Sequence, residues 1–111
     1  MAKGTVNKAM LLGRVGKDPE KRGTVVTFSI ATNESYKNAK GENVEKTTWH
    51  NITAFGKLGD VVMNYVKKGD RVYVEGKITH YTTEGDNSKT ITSINVDAVE
   101  FLNEKKKEEE I

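Results

Sequence analysis

Residues 46–78 read KTTWHNITAFGKLGDVVMNYVKKGDRVYVEGKI, and their hydrophobic period changes twice. Over Lys46–Phe55 the side chains alternate, placing His50, Ile52 and Ala54 on one face and Trp49, Asn51, Thr53 and Phe55 on the other, which predicts a strand. Leu58, Val61, Val62, Tyr65 and Val66 then recur at i, i+3, i+4, i+7 and i+8, the pattern of one face of a short helix. Gly69, after Lys67-Lys68, supplies its stop. Period two returns over Arg71–Thr83, where Val72, Val74, Gly76 and Ile78 share one face and Tyr73, Glu75, Lys77, Thr79 and Tyr81 the other. Gly76 permits a bend in this long strand.

Outward from this block, Asn7–Val15 is an apolar run ending in Gly16-Lys17-Asp18-Pro19, with the chain's single proline, and reads as a strand and a turn. Thr24–Asn33 is β-branched and alternates, with Val26, Phe28 and Ile30 on one face. Glu34–Glu45 is polar, contains Gly41 and has no period, so it is expected to be an exposed, mobile loop carrying Tyr36. Glu84–Lys89 is a turn-rich loop, and Thr90–Phe101 a last strand whose apolar parity shifts between Ile91 and Ile94, which predicts a bulge there. Five strands with one short helix between the third and fourth is the element order of the OB-fold, an all-β, partly open Greek-key barrel. Other small barrels and α+β folds share the pattern. The expected division is one domain over 1–103 and a charged tail over 104–111 (EKKKEEEI) that is helical or disordered.

A length of 111 residues fits one domain, and with 35% hydrophobic residues the core is small enough that an oligomer is expected. The absence of cysteine excludes disulfides, a thiol nucleophile and a thiolate zinc site. No stretch approaches the roughly 20 apolar residues of a membrane-spanning helix. The reading is a soluble intracellular protein, or a mature form whose targeting segment was removed, with no membrane partner. The net charge of +2 hides an asymmetry: residues 1–57 carry ten Lys/Arg against five Asp/Glu, whereas residues 58–103 carry five against seven. A cationic face of this kind attracts polyanions, nucleic acid among them. His50 and His80 have no partners in the sequence for a metal site or a catalytic dyad, and Gly56–Gly59 lacks the GxxxxGK[ST] spacing of a phosphate loop. No enzyme, metal or cofactor is therefore expected.

In the strand over Lys46–Phe55 the aromatic residues fall on the polar face. Trp49 and Phe55 are six residues apart, about 20 Å at roughly 3.3 Å per residue. Outward aromatics on a sheet are either a stacking platform for nucleobases or surface covered by loops or a second subunit. Tyr36 and Tyr81 extend the platform, whereas Tyr65 on the apolar helix face and Phe28 on a core-facing strand position are expected in the core. Arg14, Lys17, Lys21, Arg22, Lys37, Lys40 and Lys57 lie near these aromatics in sequence and suit phosphate neutralisation without base reading.

Three blocks in order, VNKAMLLGRVGKDPE at 6–20, TFSIATNES at 27–35 and TTWHNITAFGKLGDVVMNYVKKGDRVYVEGKI at 47–78, resemble the bacterial and mitochondrial type of single-stranded DNA-binding protein, over about Val6–Phe101. The resemblance implies an OB-fold, a homotetramer or a dimer, sequence-independent coating of single-stranded DNA in replication, recombination and repair, and no catalytic activity. By position it assigns base stacking to Trp49 and Phe55. Tyr36 stands where many members carry tryptophan, and Tyr81 lies near another such position. It assigns subunit contact to His50 and to Asn7–Leu12, including Met10 and Leu12. The connection at Arg22–Thr24 is shorter than in bacterial members. The chain closes on Glu108-Glu109-Glu110-Ile111 in place of the long tail with an acidic Pro-Phe tip, which leaves recruitment of repair enzymes through such a tip open. The expected location is the bacterial cytoplasm or a phage-infected host, or the mitochondrial matrix for a mature form. Two rivals remain at this point: an OB module for RNA or a primosome partner, and a protein–protein scaffold whose outward aromatics are interface.

Overall fold

The computed structural model describes residues 4–102. Its elements are β1 (Ala9–Val15), β2 (Glu20–Arg22), β3 (Val25–Lys37), β4 (Asn43–Phe55), α1 (Gly56–Tyr65), β5 (Arg71–Thr82) and β6 (Thr90–Phe101). β1 pairs antiparallel with both β3 and β5, β5 with β6, and β3 with β4. β6 runs parallel to β4 at Ile52↔Ile94 and Thr53↔Asn95. These pairings form a ring, so the five long strands close a mixed barrel with the OB-fold element order. Closure brings β1 hard against β3: a Cβ at Gly13 would lie 2.2 Å from the Ala31 carbonyl oxygen, so only glycine fits this crossing. The short β2 continues along the edge of β3 beyond β1 and turns into it through Gly23-Thr24, with Gly23 at φ 61°.

The alternation predicted for the strands fills the barrel. Val15, Val26, Phe28, Ile30, Ile52, Ala54, Val72, Val74, Ile94 and Val96 point inward, and Val62 and Val66 close one end. Full burial of a side chain such as Ile30 or Ile52 contributes about 1.5–3 kcal/mol. α1 stops at Tyr65, short of Gly69, because Val66 is already extended (φ −105°, ψ 133°) and returns its N–H to the Val62 carbonyl. Lys67–Asp70 then forms a turn in which the Asp70 carboxylate accepts the Lys67 N–H.

Three expectations are corrected. The segment 34–45 is no mobile loop: β3 and β4 stay paired from Asn33↔Thr47 to Lys37↔Asn43, forming a ribbon that outruns the barrel. Its turn is closed by Asn38, whose side-chain oxygen accepts the N–H groups of Lys40 and Glu42. Beyond the barrel both faces of the ribbon meet water, so no apolar alternation marks it in the sequence. Tyr65 is not core but 65% exposed, its ring 6.0 Å from that of Phe101 at the barrel rim. Within α1 the inward positions go to Gly59 and Val62, with Leu58 packed against the core, and Tyr65 falls past the edge of the barrel. The bulge lies elsewhere than Ile91–Ile94. Register slips opposite Glu75/Gly76, leaving Asp97 unmatched, while Ile91 and Ile94 occupy opposite faces of a regular strand. The three charged residues of β2 carry no strand signal and were not anticipated as one. The tail 104–111 lies outside the described residues.

Candidate nucleic-acid interface

The outward side chains of β4, namely Trp49, Asn51, Thr53 and Phe55, form the spine of one barrel face. Their β3 partners Ala31, Ser29, Thr27 and Val25 share that face by register. On the other side stand Ile91, Ser93 and Asn95 of β6, then Tyr81, Thr79 and Lys77 of β5. Trp49 is 60% exposed, Tyr81 49% and Phe55 47%. Three depressions run along this face. The first, about 370 Å³, opens at the gap between β4 and β6, lined by Trp49, His50 and Asn51 on one side and Thr90–Ile94 on the other. The second, about 280 Å³, holds Lys17, Glu20, Arg22 and Tyr81 and shares Asn51, Ile91 and Ser93 with the first. The third, about 430 Å³ and mostly apolar, lies between Phe55 and Tyr81 and shares Thr27, Thr53 and Tyr81 with the second. Shared walls make them one trough from Trp49 to Phe55.

The floor of the trough is polar and tied together. Thr53 Oγ1 and Ser93 Oγ are 2.7 Å apart. Asn51 Nδ2 donates to the Thr92 carbonyl at 3.2 Å, and Thr79 Oγ1 donates to the Ser93 carbonyl at 3.2 Å. These bonds stitch the seam where β4 and β6 share only two residue pairs, and they hold the surface in place beneath the aromatics. No buried side-chain polar atom among the described residues lacks a partner.

The cations separate by place. Lys17 and Arg22 line the trough, Arg22 by its register with Val25. Lys21 alternates to the other side, opposite the buried Val26, with its Nζ 3.4 Å from Asp60 on α1. Arg14 projects from the outer face of β1, beside Leu12 and Arg71, and donates to the Gly69 carbonyl at 3.0 Å. Lys37 ends the β3 ribbon on the parity of Trp49, Lys40 sits in the ribbon turn and Lys57 in the first turn of α1 just past Phe55.

Tyr36, 51% exposed, is paired with Val44 on the ribbon face opposite Trp49. His50 is on that face too, its Nε2 2.9 Å from Thr32 Oγ1. Met10 and Leu12 are 60% and 48% exposed on the outer face of β1, beside their β5 partners Glu75 and Tyr73. There the Tyr73 hydroxyl donates to Glu75, and Lys8 Nζ lies 3.2 Å from it. The hydrogen bond from Tyr73, then Lys8, holds the Glu75 carboxyl below its ordinary pKa, and the same bond raises that of Tyr73. The Asn7 amide is engaged within the chain, bonding the N–H and carbonyl of Ile78 at 2.9 Å each.

Sequence reasoning passed over Ile91, Lys77 and the Asn51–Thr53–Ser93 floor. The off-parity position of Ile91 was the signal for it, and Lys77 shares the parity of Tyr81. The described residues contain no group of three or more potential metal ligands, and no helix long and apolar enough to cross a membrane.

Comparison with known proteins gives a consistent result. The model of the single-strand binding protein family matches residues 6–102. The chain is 47% identical over 105 residues to the mitochondrial single-stranded DNA-binding protein of Drosophila melanogaster, covering 88% of this chain and 72% of that protein. It is 46% identical over 95 residues to single-stranded DNA-binding protein 1 of Chlorobaculum tepidum, covering 81% of this chain and 57% of that protein. Among solved structures, a Plasmodium falciparum SSB in complex with single-stranded DNA superposes with a TM-score of 0.82 at 36% identity, covering 93% of this chain and all of that one. A single-stranded DNA-binding protein from Thermus aquaticus, 19% identical with a TM-score of 0.77 over 88% of this chain and 51% of that one, shares the fold.

Proposed function

The chain belongs to the single-strand binding protein family, and from that premise we propose that it coats single-stranded DNA without reading its sequence. The observation that carries the proposal is the trough. Trp49, Tyr81 and Phe55 lie along one face, with Lys17 and Arg22 beside its middle. Bases stack on the aromatics, each stack contributing about 1–3 kcal/mol whatever the base. Phosphates meet Lys17 and Arg22, and further along Lys37, Lys40 and Lys57. Tyr36, on the far side of the ribbon, serves a strand that has passed around its edge. The family is non-enzymatic. The exposed Met10 and Leu12 on β1, with His50, form contacts between copies in a homotetramer, and the work of the protein is protection of single strands in replication, recombination and repair. Residues 1–103 form the binding domain and 104–111 a charged extension.

Trp49 is the chain's only tryptophan, so its fluorescence reports on the trough directly. Titration with oligo(dT), oligo(U) and duplex DNA at two salt concentrations is expected to give saturable quenching by oligo(dT), eased by salt and much weaker with duplex. Equal binding of oligo(U) shifts the reading to RNA. If single strands neither bind nor quench at low salt, the aromatics are protein–protein interface and the proposal is wrong.

A further inference from the structure

Gly16 follows β1, and its φ lies outside the left-handed region, so nothing in its backbone calls for glycine. The reason is space. An ideal Cβ at Gly16 would lie 2.4 Å from Trp49 Cζ3 and 2.9 Å from Ser29 Oγ, so the six-membered edge of the indole rests on the Gly16 α-carbon. The backbone beneath is clamped and cannot recede. Gly16 N–H donates to the Ser29 carbonyl at 3.0 Å, Val15 N–H to the Asp70 carbonyl at 2.9 Å, and Gly69 N–H to the Val15 carbonyl at 2.8 Å. Asp18 Oδ1 accepts the Lys68 N–H at 2.8 Å. Trp49, by contrast, is 60% exposed, so its ring has open space to move into when it is pushed off this seat.

We propose that Gly16 is a positioning residue for DNA binding: it seats the indole of Trp49 against the barrel and leaves the rest of the ring open to a base. The inference rests on the reading of Trp49 as a stacking plate. A ring already fixed loses no rotamer freedom when the base arrives, so the affinity gained is larger than for a mobile ring. The same clamped segment carries Lys17, which keeps a phosphate contact and the stacking plate in constant register. When a methyl group is added at Gly16, the indole yields before the fold does, because every atom it meets belongs to a side chain, the far edge of the exposed indole and the Ser29 hydroxyl, while the backbone beneath is held by main-chain bonds.

The test compares wild type, Gly16→Ala, Trp49→Phe and the double variant, using a dye-labelled oligo(dT), thermal melting and the fluorescence anisotropy of Trp49. Gly16→Ala is expected to melt close to wild type, to lower the anisotropy of Trp49 and to weaken binding about fivefold, the cost of ordering one side chain. Phenylalanine lacks the ring that carries Cζ3, so Gly16→Ala adds no loss in the Trp49→Phe background. Unchanged anisotropy and affinity in Gly16→Ala, an undiminished loss in the Trp49→Phe background, or unfolding of Gly16→Ala overturns the seat. A separate Trp49→Ala variant that binds as wild type overturns the stacking reading itself, whatever Gly16 does.

Discussion

Seven cations suit phosphate contact from the sequence, and the fold sorts them into groups that salt dependence can tell apart. Lys17 and Arg22 line the middle of the trough, and neither has an ion-pair partner among the described residues. Lys21 lies between them and Asp60, on the side of β2 that faces α1. Each phosphate contact on a single strand contributes roughly 0.7 to the slope of log affinity against log salt. Replacing Lys17 and Arg22 together by alanine therefore lowers that slope by about 1.4. The loss of affinity between 50 and 200 mM salt then shrinks about sevenfold relative to wild type. Lys21→Ala leaves the slope unchanged, although it removes a positive charge from the same three-residue strand as Arg22. The assay is equilibrium titration of oligo(dT) at four or more salt concentrations, with the melting temperature of each variant as a control for folding. A Lys17/Arg22 double variant with the wild-type slope refutes the placement of phosphates beside the second depression. A drop of about 0.7 in Lys21→Ala, half that of the double variant, shows that long-range charge, not position, sets the slope.

Phe55→Ala and Tyr81→Ala each weaken oligo(dT) binding about fivefold or more, the lower end of one base stack, and with similar factors for oligo(dT) and oligo(dC), as competition titrations will show. Leu12→Asp places a charge on the exposed outer face of β1 and lowers the molecular mass in sedimentation equilibrium without unfolding the barrel, since Leu12 is 48% exposed in the single chain; an unchanged mass removes β1 from the interface. Glu75 has a depressed folded-state pKa, so its contribution is present above its ordinary value of 4.5 and is lost as pH falls through the lower folded value. Tyr73 has a raised one, so its contribution is present below 10.0 and is lost as pH rises through the higher folded value. Melting curves of Glu75→Gln against pH are expected to be flatter than wild type at the acid end, and parallel curves count against the cluster.

Element order and the inward parity of the barrel strands were legible in the sequence because a strand with one buried face must alternate, and Val26, Phe28, Ile30, Ile52 and Ala54 do so. The same parity put Trp49 and Phe55 outside. Where both faces meet water, as in the ribbon from Asn33 to Thr47, alternation carries no signal, and pairing rests on backbone bonds and a turn closed by Asn38. Tyr65 shows the converse limit: a helix stripe names the apolar face, but the width of the barrel end decides how many of its residues are covered.

By itself, then, the sequence determined the order of five long strands with one short helix after the third, an outward row of aromatics on β4 and a surplus of cations in the first half of the chain. These are local facts, set by the period of hydrophobic residues and by charge. Only the tertiary structure decided which cations share a face with Trp49, because a one-residue step along β2 sends Arg22 to the trough and Lys21 to α1. Only it brought Ile91 and Tyr81, some 30 to 40 positions on, beside β4, and set Gly16 under the Trp49 ring. Ring closure and strand crossing create these neighbours, and no sequence spacing records them.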